Sequence, residues 1–280
     1  MIFDGTLMVS DMDGTLLSED STVSKRNIDA IECFKANGGL FAFASGRNPD
    51  NLSMYGDRIK PNAPCICYNG GMIYDFSKSG DDAVVFSECL PERARDFARL
   101  TAERFPNASV IPETMNVMNI YNPESLAAKL LLSIVACKSN YISGFSENDV
   151  PSPWIKLDFW SDTEEESAKL FDYLASLELP DGMRVLRTYR LSVEILSART
   201  DKGFALEELR RHLGVKRVCA LGDNENDALM LEKSDISYAP SNAYDCAKRA
   251  ADKVIPHSCN DDFAAYAVEA LEKKLKGGSL

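Results

Sequence analysis

The chain of 280 residues is 45% hydrophobic and 26% charged, a balance that suits a globular protein of one large or two ordinary domains. Its net charge of −12 argues against a nucleic-acid partner, which needs concentrated Lys and Arg, so an anionic ligand must be met by a few local cations. The only two histidines, His212 and His257, give a His-based mechanism little material and read as surface or loop residues; the eight cysteines contain no Cys-x-x-Cys pair, which excludes a zinc knuckle and leaves reduced, mostly core thiols.

Asp4, Asp11 and Asp13 fall where a secretory signal would be apolar, so the expected compartment is the cytoplasm. Leu7 to Ser10 reads as a short buried strand that runs into Asp11-Met12-Asp13-Gly14-Thr15-Leu16-Leu17. Ser24 caps a helix carrying Ile28, Ile31 and Phe34 on one side, and Gly38-Gly39 ends it. Leu40 to Ala44 is a second strand closing on Ser45-Gly46-Arg47, and Cys65 to Tyr68 a third closing on Asn69-Gly70-Gly71.

The middle of the chain, residues 81–198, has a different texture. Helical stretches (Pro91 to Arg104, Thr163 to Ser176) alternate with strand-like runs (Trp154 to Phe159, Ser192 to Leu196), which predicts an inserted α+β domain. The longest apolar stretch, Leu126 to Cys137, is broken by Lys129 and Ser133 and falls short of the roughly 18 residues of a membrane span, so no membrane partner is expected and a buried helix is. Arg184, Arg187 and Arg190 read as a solvated face, and Trp154 and Tyr189 as core or edge packing.

Alternation resumes with a helix from about Phe204 to Leu213 stopped by Gly214, a strand at Val218 to Leu221, Gly222-Asp223-Asn224-Glu225-Asn226-Asp227, a helix through Ala228 to Leu231 and a strand at Ile236 to Ala239. The Lys273 to Gly278 end reads as a solvated, frayed terminus. Alternating strands and helices imply an α/β fold with a doubly wound parallel sheet, built from residues 1–80 and 199–280, whose ligands bind beyond the carboxyl ends of the strands. Every polar cluster falls at that edge. Two carboxylate clusters there suit chemistry on a phosphate, in which one carboxylate attacks, another moves protons and the rest hold a divalent cation.

The ordered set Asp-x-Asp-Gly-Thr-Leu, Ser-Gly-Arg, a long insert, Lys202-Gly203 and Gly-Asp-x-x-Asn-Asp resembles the haloacid dehalogenase superfamily, and within it the Cof-type phosphatases of subclass IIB. The resemblance spans nearly the whole chain and implies a Rossmann-like core with an α+β cap at 81–198. It implies that Asp11 attacks phosphorus and that Asp13 protonates the leaving alcohol and then activates water. Magnesium would be held by Asp11, the backbone carbonyl of Asp13 and Asp223, with Asn224 at a further, often water-mediated contact. Phosphate and substrate binding falls by resemblance to Met12, Ser45, Gly46, Lys202 and Asn226, with Asp227 orienting Lys202; Arg47 either reaches the substrate or makes a structural salt bridge. A near-copy, Phe3-Asp4-Gly5-Thr6-Leu7, has Ile2 where the attacking acid would stand, so only the Asp11 motif has both acids.

The resemblance departs at Pro240-Ser241-Asn242-Ala243 and Asp261-Asp262-Phe263, where the family often writes Gly-Asn-Ala and Asp-Gly-Val. The expected function is magnesium-dependent hydrolysis of small phosphorylated metabolites, foremost sugar phosphates, through an aspartyl phosphate. The alternatives are a phosphatase of a phosphorylated cofactor such as pyridoxal phosphate or flavin mononucleotide, and a non-catalytic phosphometabolite-binding protein. The sequence leaves the oligomeric state open.

Overall fold

A computed structural model describes residues 1–56, 58–115, 117–135, 137–179 and 182–277; Gly278 of the basic C-terminal run lies outside the described residues. In chain order the strands and helices are β1 (Thr6–Asp11), α1 (Lys25–Ala36), β2 (Leu40–Ala44), α2 (Pro49–Ser53), β3 (Cys65–Cys67), β4 (Met72–Tyr74), β5 (Val84–Ser87), α3 (Ala94–Arg104), β6 (Ser109–Thr114), β7 (Val117–Ile120), α4 (Leu126–Ile134) and β8 (Lys138–Tyr141). They continue with β9 (Lys156–Trp160), α5 (Glu164–Ser176), β10 (Met183–Tyr189), β11 (Ser192–Ser197), α6 (Lys202–Leu213), β12 (Arg217–Leu221), α7 (Ala228–Lys233), β13 (Ile236–Ala239), α8 (Asp245–Ala250), β14 (Lys253–Val254) and α9 (Phe263–Leu275). The chain divides into two compact units, one of residues 1–47, 55–86 and 201–280, the other of residues 48–54 and 87–200.

The first unit holds an eight-stranded sheet in the order β14-β13-β12-β1-β2-β3-β4-β5. From β14 to β3 neighbouring strands run parallel, and β4 turns back antiparallel on β3. Every residue of β1 is buried, because a central parallel strand is covered on both faces. The chain leaves β1 for β2 on one side and returns to β12 on the other, so β1 ends at the switch point where such sheets bind ligands. Ser24 caps α1 by accepting the Asn27 N–H, and Asn27 in turn accepts the N–H of Ala265, tying α1 to the start of α9.

The second unit is a six-stranded sheet, β10-β11-β9-β6-β7-β8, antiparallel except between β7 and β8. One face carries Val110, Leu157, Phe159, Val193 and Ile195 against Phe97 and Ala98 of α3 and Leu170 and Leu174 of α5. On the other, Ile111, Met118, Ile120 and Trp160 pack with Ala127, Ala128 and Leu131 of α4. The short α2 joins this unit, its cap Asn48 donating to Glu113.

Two expectations need correction. The Leu126 to Cys137 stretch is not a fully buried helix: α4 turns Leu126 outward at 70% exposure, since a helix on one sheet face buries a single stripe. Pro91 to Arg93 form a turn and α3 begins at Ala94, where backbone hydrogen bonding becomes helical. Cys65, Cys67, Cys219 and Cys259 are buried, Cys33 is exposed, and all eight cysteines are free thiols. Trp154 is core, and Arg187 and Arg190 bond to Glu164 at the surface. Among the described residues no helix is long and apolar enough to cross a membrane.

Candidate active site

Asp11 is the last residue of β1 and is buried. Directly after it the chain folds into a turn in which the Met12 carbonyl accepts the N–H groups of Leu16 and Leu17. Gly14 takes φ +87°, and a Cβ there would stand 2.6 Å from an Asp223 oxygen, so both the backbone and the neighbour demand glycine. Thr15, fully buried, donates from Oγ1 to Asp223 Oδ1 at 2.7 Å and fixes that carboxylate beside the turn.

Lys202 opens α6 behind the cap Asp201, and its Nζ donates to Asp11 Oδ1 and to Asp227 Oδ1, both at 2.6 Å. The other Asp227 oxygen accepts the N–H groups of Asp223 and Asn224 at 3.0 Å, so this acid is fully occupied in holding its neighbours. Oxygens of Asp11, Asp223 and Asp227 come within 4.8 Å of one another. Burial, the Asp227 charge and the Asp223 charge push the Asp11 carboxyl well up against the pull of Lys202. Burial and Asp227 raise Asp223 to about 6 against the Thr15 hydrogen bond. Burial alone would lower Lys202, but Asp11 and Asp227 overcome it and keep the ammonium charged. Three buried carboxylates around one ammonium leave this oxygen-only cluster short of positive charge, which suits a hard divalent cation and not zinc.

Asp13 stands beside this cluster with a half-exposed side chain gripped by Arg47, Nη2 to Oδ1 at 2.6 Å and Nε to Oδ2 at 2.9 Å. Beyond β2, the Ser45 hydroxyl oxygen accepts the Arg47 N–H, and the Ser45 carbonyl accepts the N–H of Asn69. Asn226 donates from Nδ2 to Asn69 Oδ1 at 2.9 Å, so the loops after β2, β3 and β12 are stitched together. The Asn224 side-chain oxygen accepts the N–H of Glu225 and caps the turn that follows.

A family model of haloacid dehalogenase-like hydrolases matches residues 8–267. The chain belongs to this family. The 5-amino-6-(5-phospho-D-ribitylamino)uracil phosphatase YitU of Bacillus subtilis is 24% identical over 268 residues, 94% of this chain and 96% of that protein. A haloacid dehalogenase-like hydrolase from Bacteroides thetaiotaomicron superposes with a TM-score of 0.84 at 22% identity, covering 95% of this chain and 99% of its own. The subclass IIB sugar phosphatase BT4131 gives 0.76 at 22% identity, covering 95% and 98%. This haloacid dehalogenase-like hydrolase is a phosphatase of the Cof type.

The structure gathers Asp11, Lys202, Asp223 and Asp227 around one point of the hydrolase. Asp13 with Arg47, and Ser45, Gly46 and Asn226 with Asn69, lie on loops beyond the same strand ends. Sequence reasoning missed Thr15, Asn69 and Asn242. Asn242 donates to the Gly14 carbonyl and accepts the Cys259 N–H, so the departing Pro240 to Ala243 loop still ties the first motif down. For Asn69 the available signal was an Asn-Gly pair after a strand, the composition of a turn with positive φ, which Asn69 has at 53°.

Proposed function

We propose that this enzyme hydrolyses phosphate monoesters of small metabolites, foremost sugar phosphates, in two steps through an aspartyl phosphate on Asp11. The observation that carries the reading is the division of labour between two acids. Asp11 is buried and hydrogen-bonded to Lys202, whereas Asp13, two residues on, is half-exposed and paired with Arg47.

In the first step an Asp11 oxygen attacks phosphorus, the ester P–O bond breaks, and Asp13 gives its proton to the leaving oxygen. In the second, Asp13 takes a proton from water, whose oxygen attacks phosphorus and releases Asp11. Lys202 balances charge on Asp11 and the transferring group; the Ser45 hydroxyl, the Gly46 and Met12 backbone amides and Asn226 offer donors to the phosphoryl oxygens. Asp11, Asp223 and the Asp13 carbonyl would hold magnesium, which supplies compensation for phosphoryl charge. Asn224, whose side-chain oxygen accepts the Glu225 N–H, would add a further, water-bridged contact.

A second reading, a phosphatase of a phosphorylated cofactor whose alkyl phosphate arm carries a heteroaromatic ring, draws support from the phosphatase YitU, whose named substrate is 5-amino-6-(5-phospho-D-ribitylamino)uracil. Rates on a panel of sugar phosphates, pyridoxal phosphate and flavin mononucleotide, with and without magnesium, decide between them. Activity of Asp11→Asn above about a hundredth of wild type, in protein free of deamidation, would remove Asp11 from its role.

A further inference from the structure

The turn after β3 does more than join two strands. Tyr68 and Asn69 both take φ +53°, a left-handed backbone that is uncommon for asparagine and an outlier for a buried aromatic residue. Such residues persist only where the surrounding structure holds them, and they cluster at active sites. Here the Tyr68 N–H donates to the Arg47 carbonyl at 3.1 Å and the Asn69 N–H to the Ser45 carbonyl at 3.0 Å, so the loop after β2 clamps the turn.

The clamp leaves the Asn69 side chain, in a residue only 1% exposed, between two of the proposed phosphoryl contacts. Its Nδ2 fills the space beside Gly46: a Cβ there would stand 2.8 Å from that nitrogen, so the amide of Asn69 is one reason for glycine at 46. Its Oδ1 accepts one N–H of Asn226 Nδ2 at 2.9 Å, the one hydrogen bond of the Asn226 side chain among the described residues. An amide group is planar, so anchoring one N–H fixes the direction of the other. Turning Asn226 over would set its carbonyl oxygen against Asn69 Oδ1, two acceptors with no proton between them. The pairing therefore holds the Asn226 nitrogen toward Asn69 and leaves its second N–H unspent.

We propose that Asn69 is a positioning residue, whose side-chain oxygen aims the Asn226 amide so that the second N–H meets an oxygen of the phosphoryl group. The inference rests on the phosphatase reading and adds to it a residue outside the motifs of the sequence. A turn that served only to connect β3 and β4 would need a left-handed residue at 69 but no side chain, and glycine would do as well.

Asn69→Gly keeps that backbone and removes the amide, and Asn226→Ala removes the proposed donor. The experiment measures kcat/KM for p-nitrophenyl phosphate and the inhibition constant of orthovanadate, a mimic of five-coordinate phosphorus, in wild type, both variants and the double variant, with circular dichroism to confirm folding. If Asn69 acts through Asn226, Asn69→Gly lowers kcat/KM about tenfold, raises the vanadate constant by a similar factor, and costs less than about twofold where Asn226 is already alanine. A turn with a merely structural role would displace Ser45 and Arg47 as well, and its loss would be as large in the Asn226→Ala background as in wild type. Losses that multiply therefore overturn the assignment, as does a folded Asn69→Gly with wild-type kcat/KM. Should Asn69→Gly not fold, Asn69→Ser, whose shorter side chain withdraws the oxygen from Asn226, takes its place in the cycle. A wild-type chain that hydrolyses no ester fails the phosphatase reading, and vanadate affinity from calorimetry then completes the same cycle by itself; a wild type that binds no vanadate overturns the positioning role as well.

Discussion

Arg47 closes on Asp13 as a two-toothed fork, holding one carboxylate oxygen with Nη2 at 2.6 Å and the other with Nε at 2.9 Å. This pair links the first motif to the loop after β2, and its planar, bidentate geometry fixes where the half-exposed Asp13 points. Of the two roles open to Arg47 in the sequence, the structure shows the salt bridge.

If the fork aims Asp13, Arg47→Gln should cost most where proton donation matters most. Turnover of an alkyl phosphate should fall about 10- to 100-fold, and that of p-nitrophenyl phosphate, with its better leaving group, by clearly less. Steady-state kinetics on the two esters checks this. A rise in KM of the same size for both, with kcat intact, would instead mean that Arg47 grips the phosphate.

Asp227 is the keystone of the buried ionic cluster, since it serves Lys202 with one oxygen and the N–H groups of Asp223 and Asn224 with the other. Asp227→Ala strands these donors, and breaking a buried pair typically costs about 3–5 kcal/mol. Asp11→Asn leaves Lys202 its Asp227 partner and should cost far less. Thermal melts of the two variants side by side provide the comparison; equal losses would contradict this ranking.

Thr15 touches no proposed substrate atom, yet its hydroxyl orients Asp223 at 2.7 Å. Thr15→Val should therefore weaken magnesium activation about tenfold while kcat at saturating magnesium stays near wild type. A magnesium titration of activity reads both quantities. An unchanged half-saturation point would show that Asp223 needs no such support.

Much of the first unit was legible because its strands are short apolar runs ended by polar and Gly residues. Leu40 to Ala44 and Ile236 to Ala239 match β2 and β13 to the residue, and Gly214 ends α6 with φ +62°. Asp11, Asp223, Lys202 and Asp227 could be named because motif order fixes their strand ends. Thr15 and Asn242 could not, since each acts through a partner more than 200 residues away in the chain, a pairing created only by the fold. The buried cluster of Lys156 with Glu113, Asp158 and Glu194 in the second unit was hidden for another reason. Period-two alternation in Trp154 to Phe159 marks which residues share a face and does not say whether that polar face is solvated or, as here, buried.

Asp158 gives that buried face a measurable signature in pH. Burial pushes its carboxyl up to about 7 against the pull of Lys156, with Glu194 and Glu113 adding to the rise and the Trp160 indole opposing it. In the unfolded chain an aspartate titrates near 4. Between about pH 4 and 7 the folded state therefore holds a proton that the unfolded state has released, so this group's contribution to stability falls as pH rises through that window and is level above it. Asp158→Asn cannot ionise and should escape the fall. Relative to wild type, its Tm should be nearly unchanged at pH 4.5 and should rise progressively toward pH 8, by an amount corresponding to roughly 1–4 kcal/mol. Because the other titrating groups are shared, the difference between the two Tm-against-pH curves isolates Asp158. Curves that run parallel from pH 4.5 to 8 would mean that the carboxyl is already ionised at the acid end, with its charge met by Lys156.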